Sequence, residues 1–174
     1  MLPAGDLTRL PEFTAPKLGN TANVLTMHLD LPAEPEGVLY KLGANSGGLT
    51  LFIDDGVLVY EYNLFIIQRT QIRSTAPLPT GPVQLTVTTQ PLEPRRGTPL
   101  GITIDIDGTT VAEGTVPISA PLTFTANDCL DLGKALGSPV SLDYHDRAPF
   151  AFNGHIEQVH VRYVGADSHA TTGA

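Results

Sequence analysis

Long stretches of this chain alternate apolar and polar residues with a period of two, and that alternation constrains the fold more than any other feature. In 23–31, Leu25, Met27, Leu29 and Leu31 fall on one face, with Thr26, His28 and Asp30 opposite. In 47–54, Leu49, Leu51 and Ile53 alternate with Thr50, Phe52 and Asp54. Leu58, Tyr60 and Tyr62 share a face in 56–63, as do Val83, Leu85 and Val87 in 82–90 and Ile102, Ile104 and Ile106 in 100–107. The last stretch, 155–164, places Val159, Val161 and Tyr163 together. Successive side chains of a strand point to opposite faces, so each stretch predicts a half-buried strand of an antiparallel sheet. No run of this kind carries a helical stripe; only 128–137 has room for a helical turn. Asp54-Asp55-Gly56 and Asp107-Gly108 supply hairpin turns, because glycine accepts a positive φ without a Cβ clash.

About eleven short strands with frequent turns predict an all-β fold, a two-sheet antiparallel β-sandwich with its core between the inward faces. The 174 residues suit one domain over 1–164, with 165–174 as a mobile tail that lacks any apolar pattern. Residues 1–22 hold only a weak strand signal, around Leu7 to Leu10.

Charge narrows the partners. Ten basic residues against eighteen acidic give a net charge of −8. A chain of that overall sign has no electrostatic drive toward nucleic acid or an anionic membrane, so neither is expected as a partner. The single cysteine, Cys129, excludes an intramolecular disulfide and a Cys-rich zinc site. The first residues carry no basic and apolar leader, and no apolar run approaches the roughly 20 residues needed to span a bilayer. The cytoplasm is the default location.

Catalytic constellations are hard to find. His28, His155 and His160 occupy polar strand positions, and a regular strand points His155 and His160 to opposite faces. The one strand pair of acids at short spacing, Asp105 and Asp107, uses Asp107 in a turn, which argues against the two-carboxylate chemistry of a glycosidase. Cys129 lies between Asp128 and Leu130, and the neighbouring acids disfavour its thiolate. Asp128, Asp131, Asp143 and Asp146 crowd one loop-rich stretch. They read either as turn formers or as part of a calcium site, although their spacing matches no EF-hand. Leu64-Phe65-Ile66-Ile67 is a continuous apolar run, either a strand buried on both sides or an exposed contact surface.

The ordered segments Gly47-Gly48-Leu49-Thr50-Leu51-Phe52, Asp55-Gly56-Val57-Leu58-Val59-Tyr60-Glu61-Tyr62-Asn63, Ile106-Asp107-Gly108, Asp131-Leu132-Gly133 and Pro149-Phe150-Ala151-Phe152-Asn153-Gly154-His155-Ile156 resemble the C-terminal domain of bacterial-type arylsulfatases. The resemblance runs over about residues 7 to 164 and implies a concanavalin A-like (laminin-G-like) jelly-roll sandwich. The departures point away from catalysis. Cys129 is followed by Leu130, Asp131, Leu132 and Gly133, so the Cys/Ser-x-Pro/Ala-x-Arg motif that yields formylglycine is missing, and the metal-binding acids of a sulfatase core have no counterpart. The resemblance therefore implies a non-catalytic accessory domain that docks on a sulfatase core or another protein, with Leu64, Phe65, Ile66 and Ile67 as the contact. The alternative is a lectin-like module for a glycan or a sulfated glycan. Its candidates are Tyr62, Asn63, Arg69 and Arg73; the two arginines are four apart and share a strand face, and guanidinium forks suit sulfate oxygens.

Overall fold

The alternating stretches pair into two six-stranded antiparallel sheets in the computed structural model, which describes residues 2–3, 8–124 and 128–165. One sheet runs in the order β1 (Leu2–Pro3), β12 (His155–Tyr163), β3 (Asn23–Leu31), β8 (Gly81–Pro91), β9 (Leu100–Ile106) and β10 (Thr109–Val116). The other runs β2 (Leu10–Pro11), β11 (Cys129–Leu132), β4 (Gly37–Ala44), β5 (Gly47–Asp54), β6 (Val57–Leu64) and β7 (Gln68–Arg73). Leu25, Met27 and Leu29 of the first sheet and Leu49, Leu51, Leu58, Tyr60 and Tyr62 of the second belong to one buried cluster between the sheets. Burying an aliphatic side chain of this size stabilises the fold by about 1.5–3 kcal/mol. The hairpin turns have the backbone their residues allow: φ is 50° at Asp55 and 73° at Gly56, and 51° at Asp107 and 82° at Gly108.

The two sheets differ in their outer faces. The first leaves its polar face to solvent, as the alternation of β3 and β8 requires. The second is buried on both faces along β4, β5 and β6. The segment 133–152 folds over its outside, and Val38, Phe52, Val59, Ala135, Tyr144 and Phe150 form a second apolar cluster there. Tyr144 meets Phe52 edge-on at 5.0 Å and stacks on Phe150 at 5.6 Å. Arg147 fixes this cover: it donates to both carboxylate oxygens of Asp54, at 2.9 and 2.8 Å, and its guanidinium lies 4.5 Å from the Phe150 ring centre.

Three expectations change. The stretch 128–137 forms the strand Cys129–Leu132 and no helical turn; the helical turn is the 3-10 turn His145–Arg147. β12 carries a bulge between Ile156 and Gln158, which turns Ile156 inward with Val159; Val159, Val161 and Tyr163 keep one face as expected, with Tyr163 46% exposed at the strand's end. The bulge also leaves His155 and His160 both exposed along β12. In the weak first segment the strands are Leu2–Pro3 and Leu10–Pro11, and Leu7 lies outside the described residues. The tail expected over 165–174 lies outside them from residue 166 onward.

Candidate functional site

The outer face of the second sheet holds an unusual row. Register places Asp131, Lys41, Thr50, Glu61 and Gln71 side by side across β11, β4, β5, β6 and β7. Lys41, Thr50 and Asp131 are fully buried and Glu61 nearly so. A buried charge persists only with partners. Lys41 Nζ lies 3.6 Å from Asp131 and 3.4 Å from Asp128, and it donates to the carbonyls of Gly43 and Ser138. Asp131 in turn accepts the backbone N–H groups of Arg9 and Leu136. Glu61 accepts from Gln71 at 2.6 Å and from Arg69 at 3.3 Å. Burial raises the Glu61 carboxyl above its ordinary range, and its hydrogen bonds from Gln71 and Ser141 and the Arg69 charge pull the other way. Tyr144 closes the row by donating to Thr50 Oγ1, and burial pushes its phenol up to about 12.

This row disperses the four acids considered for calcium. Asp128 and Asp131 converge on Lys41, whose ammonium stands where a cation would bind. Asp143 accepts from Gln71 and faces Arg73 at 3.9 Å, and Asp146 is exposed on the 3-10 turn. Among the described residues no three histidines, cysteines or acids gather to hold a metal ion.

The four glycan candidates also separate. Tyr62 faces the core; its hydroxyl donates to the Gly19 carbonyl at 2.6 Å and accepts the Ala120 N–H at 2.8 Å. Asn63 is fully buried, donating to the Asn45 carbonyl and accepting the Ile66 N–H. Arg69 does share a face with Arg73, but it spends its guanidinium on Glu61, Asn45 and the Val140 carbonyl. Arg73 alone of the four is open to solvent, at 49% exposure. Tyr62, Asn63 and Arg69 thus hold the frame together.

The apolar run divides. Leu64 ends β6 in the core, Phe65 is half-buried, and Ile66 and Ile67 are 60% and 84% exposed. The run is therefore not a strand buried on both sides. The Ile67 N–H bonds the Leu64 carbonyl at 2.9 Å, and Phe65 and Ile66 take φ of 50° and 68°. A two-residue turn of this hand favours Asn and Gly, so an exposed isoleucine there is strained.

The open cavity lies at the same end of the sandwich as this turn. It has a volume of about 470 Å³ between the loops 12–21 and 120–124, with Phe13, Lys17, Thr21, Arg96, Leu122 and Phe124 in its lining. A second depression of about 310 Å³, lined by Pro94, Arg95 and Gly97, shares Asn20, Arg96 and Pro121 with it. The walls are tied. Asn20 donates to the carbonyls of Ala120 and Leu122, the Glu12 carboxylate accepts the Phe124 N–H, and Tyr62 bridges Gly19 and Ala120. No periodic signal marks this site, because its residues lie in loops distant in the chain. Pro91 and Pro94 mark a loop, and nothing local places it beside residues 12–21.

No protein-family model matches the chain, and no curated protein matches it. Solved structures do. The chain aligns over 97% of its length with mouse laminin α1 domains LG4-5, at a TM-score of 0.63 and 16% identity, and spans about half (49%) of that two-domain chain. It aligns with the Ruminococcus gnavus IT-sialidase CBM40 bound to α2,6-sialyllactose at a TM-score of 0.54 and 14% identity, over 86% of this chain and 81% of that one. It aligns with the Caenorhabditis elegans galectin LEC-6 at 0.53 and 12% identity, over 94% and 95%. At these identities the shared property is the fold: a lectin-type, laminin-G-like β-sandwich.

Proposed function

We propose that this chain is a non-catalytic module that binds a carbohydrate in its loop-end cavity. The observation that carries the reading is the cavity itself, which combines the exposed ring of Phe13 with Lys17 and Arg96, cations that form no ion pair among the described residues, on walls already tied by hydrogen bonds. Its size falls in the ordinary range for small-molecule sites, about 300–1,000 Å³. An aromatic face packs against the apolar side of a sugar ring, cations favour a carboxylate or sulfate on it, and fixed walls lower the ordering cost. The fold is one on which a sialylated sugar is bound in the Ruminococcus module. The alternative placement at Tyr62, Asn63, Arg69 and Arg73 would require those side chains to leave the bonds described above.

Calorimetry with neutral, sialylated and sulfated oligosaccharides tests the proposal. Binding is expected to weaken in Phe13→Ala and Arg96→Gln, with acidic sugars losing more in the second. No heat at millimolar ligand for any of the three classes rejects it.

One observation favours a second reading. Ile66 and Ile67 are exposed, which suits an accessory domain docked on another protein, and the order of segments points to a sulfatase catalytic core as that partner. Co-elution that survives changing Ile66 and Ile67 to serine would reject this placement.

A further inference from the structure

We infer that the loop end of the sandwich docks on an anionic lipid surface. The inference goes beyond the carbohydrate reading and does not rest on it. The first observation is where exposed apolar side chains collect. Phe13, Ile66, Ile67, Leu92, Ile118 and Leu122 are 80%, 60%, 84%, 54%, 49% and 64% exposed. They stand on four separate loops, and all four loops lie at the end marked by the start of β3 and β7 and the close of β6, β8 and β10. Patches of this kind mark contact surfaces on a folded domain.

The second observation is strain. Ile66 is β-branched and holds a φ of 68° at the tip of a turn that glycine would make without cost. Strain retained at an exposed position points to a contact made there.

The third observation selects the partner. The loops at this end carry Lys17, Arg95 and Arg96 against Glu12, Glu93 and Asp128; Arg95 pairs with Glu93, Asp128 pairs with the buried Lys41, and among the described residues Lys17 and Arg96 form no ion pair. The opposite loops and the covering segment carry Glu34, Glu36, Asp55, Asp107, Asp143 and Asp146 against Lys134 and Arg147. The molecule is therefore polarised, with its acidic end turned away from the apolar tips. An anionic bilayer complements that arrangement: cations meet the headgroups while separate tips enter the acyl boundary. Side chains on separate loops suit a surface that deforms around them better than one flat protein face.

The test is sedimentation of the full chain with sugar-free vesicles of phosphatidylcholine, with and without phosphatidylglycerol. Sedimentation is expected to require phosphatidylglycerol and to fall as salt rises. The variant Ile66→Gly/Ile67→Ser relieves the turn and removes two apolar side chains. It should melt no lower than the wild type and lose about tenfold or more in lipid partition. Its oligosaccharide binding should be unchanged, since neither isoleucine lines the cavity. Three results would overturn the proposal: no sedimentation with either vesicle, equal sedimentation with both, or an unchanged partition in a folded variant. Because the vesicles carry no sugar, each of these leaves the carbohydrate reading standing.

Discussion

Two tyrosines on one strand should respond with opposite sign to the loss of a single oxygen. Tyr60 and Tyr62 both point inward from β6 and are buried to 1% and 0% exposure. Tyr62 bridges two backbone groups from separate loops, the carbonyl of Gly19 and the N–H of Ala120. Tyr60 Oη is buried with no hydrogen-bond partner among the described residues. Tyr62→Phe leaves a buried carbonyl and a buried N–H unpaired, at about 1–3 kcal/mol each, or about 2–6 kcal/mol together. In a domain of this size 1 kcal/mol moves Tm by about 2–4 °C, so the expected drop is roughly 4–24 °C. Tyr60→Phe removes a hydroxyl that was desolvated without compensation, and should gain about 1 kcal/mol, or about 2–4 °C. Burial holds both phenols well above their ordinary range, so at neutral pH neither ionises and the comparison reads hydrogen bonding alone. Thermal melts followed by circular dichroism, with urea titrations alongside, give both numbers. A Tyr60→Phe variant that loses as much as Tyr62→Phe would refute the reasoning, since it would mean that the Tyr60 hydroxyl has a partner such as a trapped water. Tyr62→Phe should also weaken oligosaccharide binding, because the bond it removes joins the two loops that wall the cavity.

The buried row makes further predictions. Lys41→Met strands Asp131 in the interior without its cation and should cost about 3–5 kcal/mol in a urea titration; adding Asp131→Asn should restore part of the loss. Arg147 holds the Asp54 carboxyl below its ordinary range, so this group stabilises the fold above the unfolded carboxyl pKa of about 3.9 and the contribution is lost as pH falls. The stability gap between wild type and Asp54→Asn should therefore shrink in melts taken from neutral pH down through 4 and below; a constant gap would contradict it. Glu61 has the opposite sign. Its native pKa is raised by burial, so its contribution is complete below the unfolded value of about 4.3 and is lost as pH rises through the raised one. Glu61→Gln should gain on the wild type between pH about 4 and neutrality, and a gap independent of pH would exclude that account.

The inward faces were legible because they depend on local alternation. Leu25, Met27 and Leu29, or Ile102 and Ile104, point the same way in any antiparallel pairing that buries one face. The outer face of the second sheet was not legible in this way. Phe52 and Val59 alternate out of phase with the core and could have met solvent or a second layer; only the return of 133–152 across β5 decides it. The same return explains the acids. Asp128 and Asp131 read as turn formers or as calcium ligands because a local count cannot see Lys41, which lies 87 residues from Asp128 in sequence and arrives on β4. The pairing of Asp131, Lys41, Thr50 and Glu61 is a register relation among four strands, and no one-dimensional spacing encodes it.

Charge shows the same separation between what a sum conveys and what a fold conveys. A net charge of −8 predicts repulsion from any anionic surface if the charge is spread evenly. It is not spread evenly: the hairpin turns Asp55-Gly56 and Asp107-Gly108 put their acids at one end because those turns need Asx and glycine. The loop after β8 puts Arg95 and Arg96 at the other. With screening over about 8–10 Å at physiological salt, a surface approaching the loop end interacts mainly with Lys17 and Arg96, with the Arg95–Glu93 pair and with Glu12, and little with the distant carboxylates of the opposite end. The sign of an encounter is then set by the end that arrives, so the same chain can be repelled on average and attracted in one orientation. That orientation is the one in which the cavity and the apolar tips face the partner.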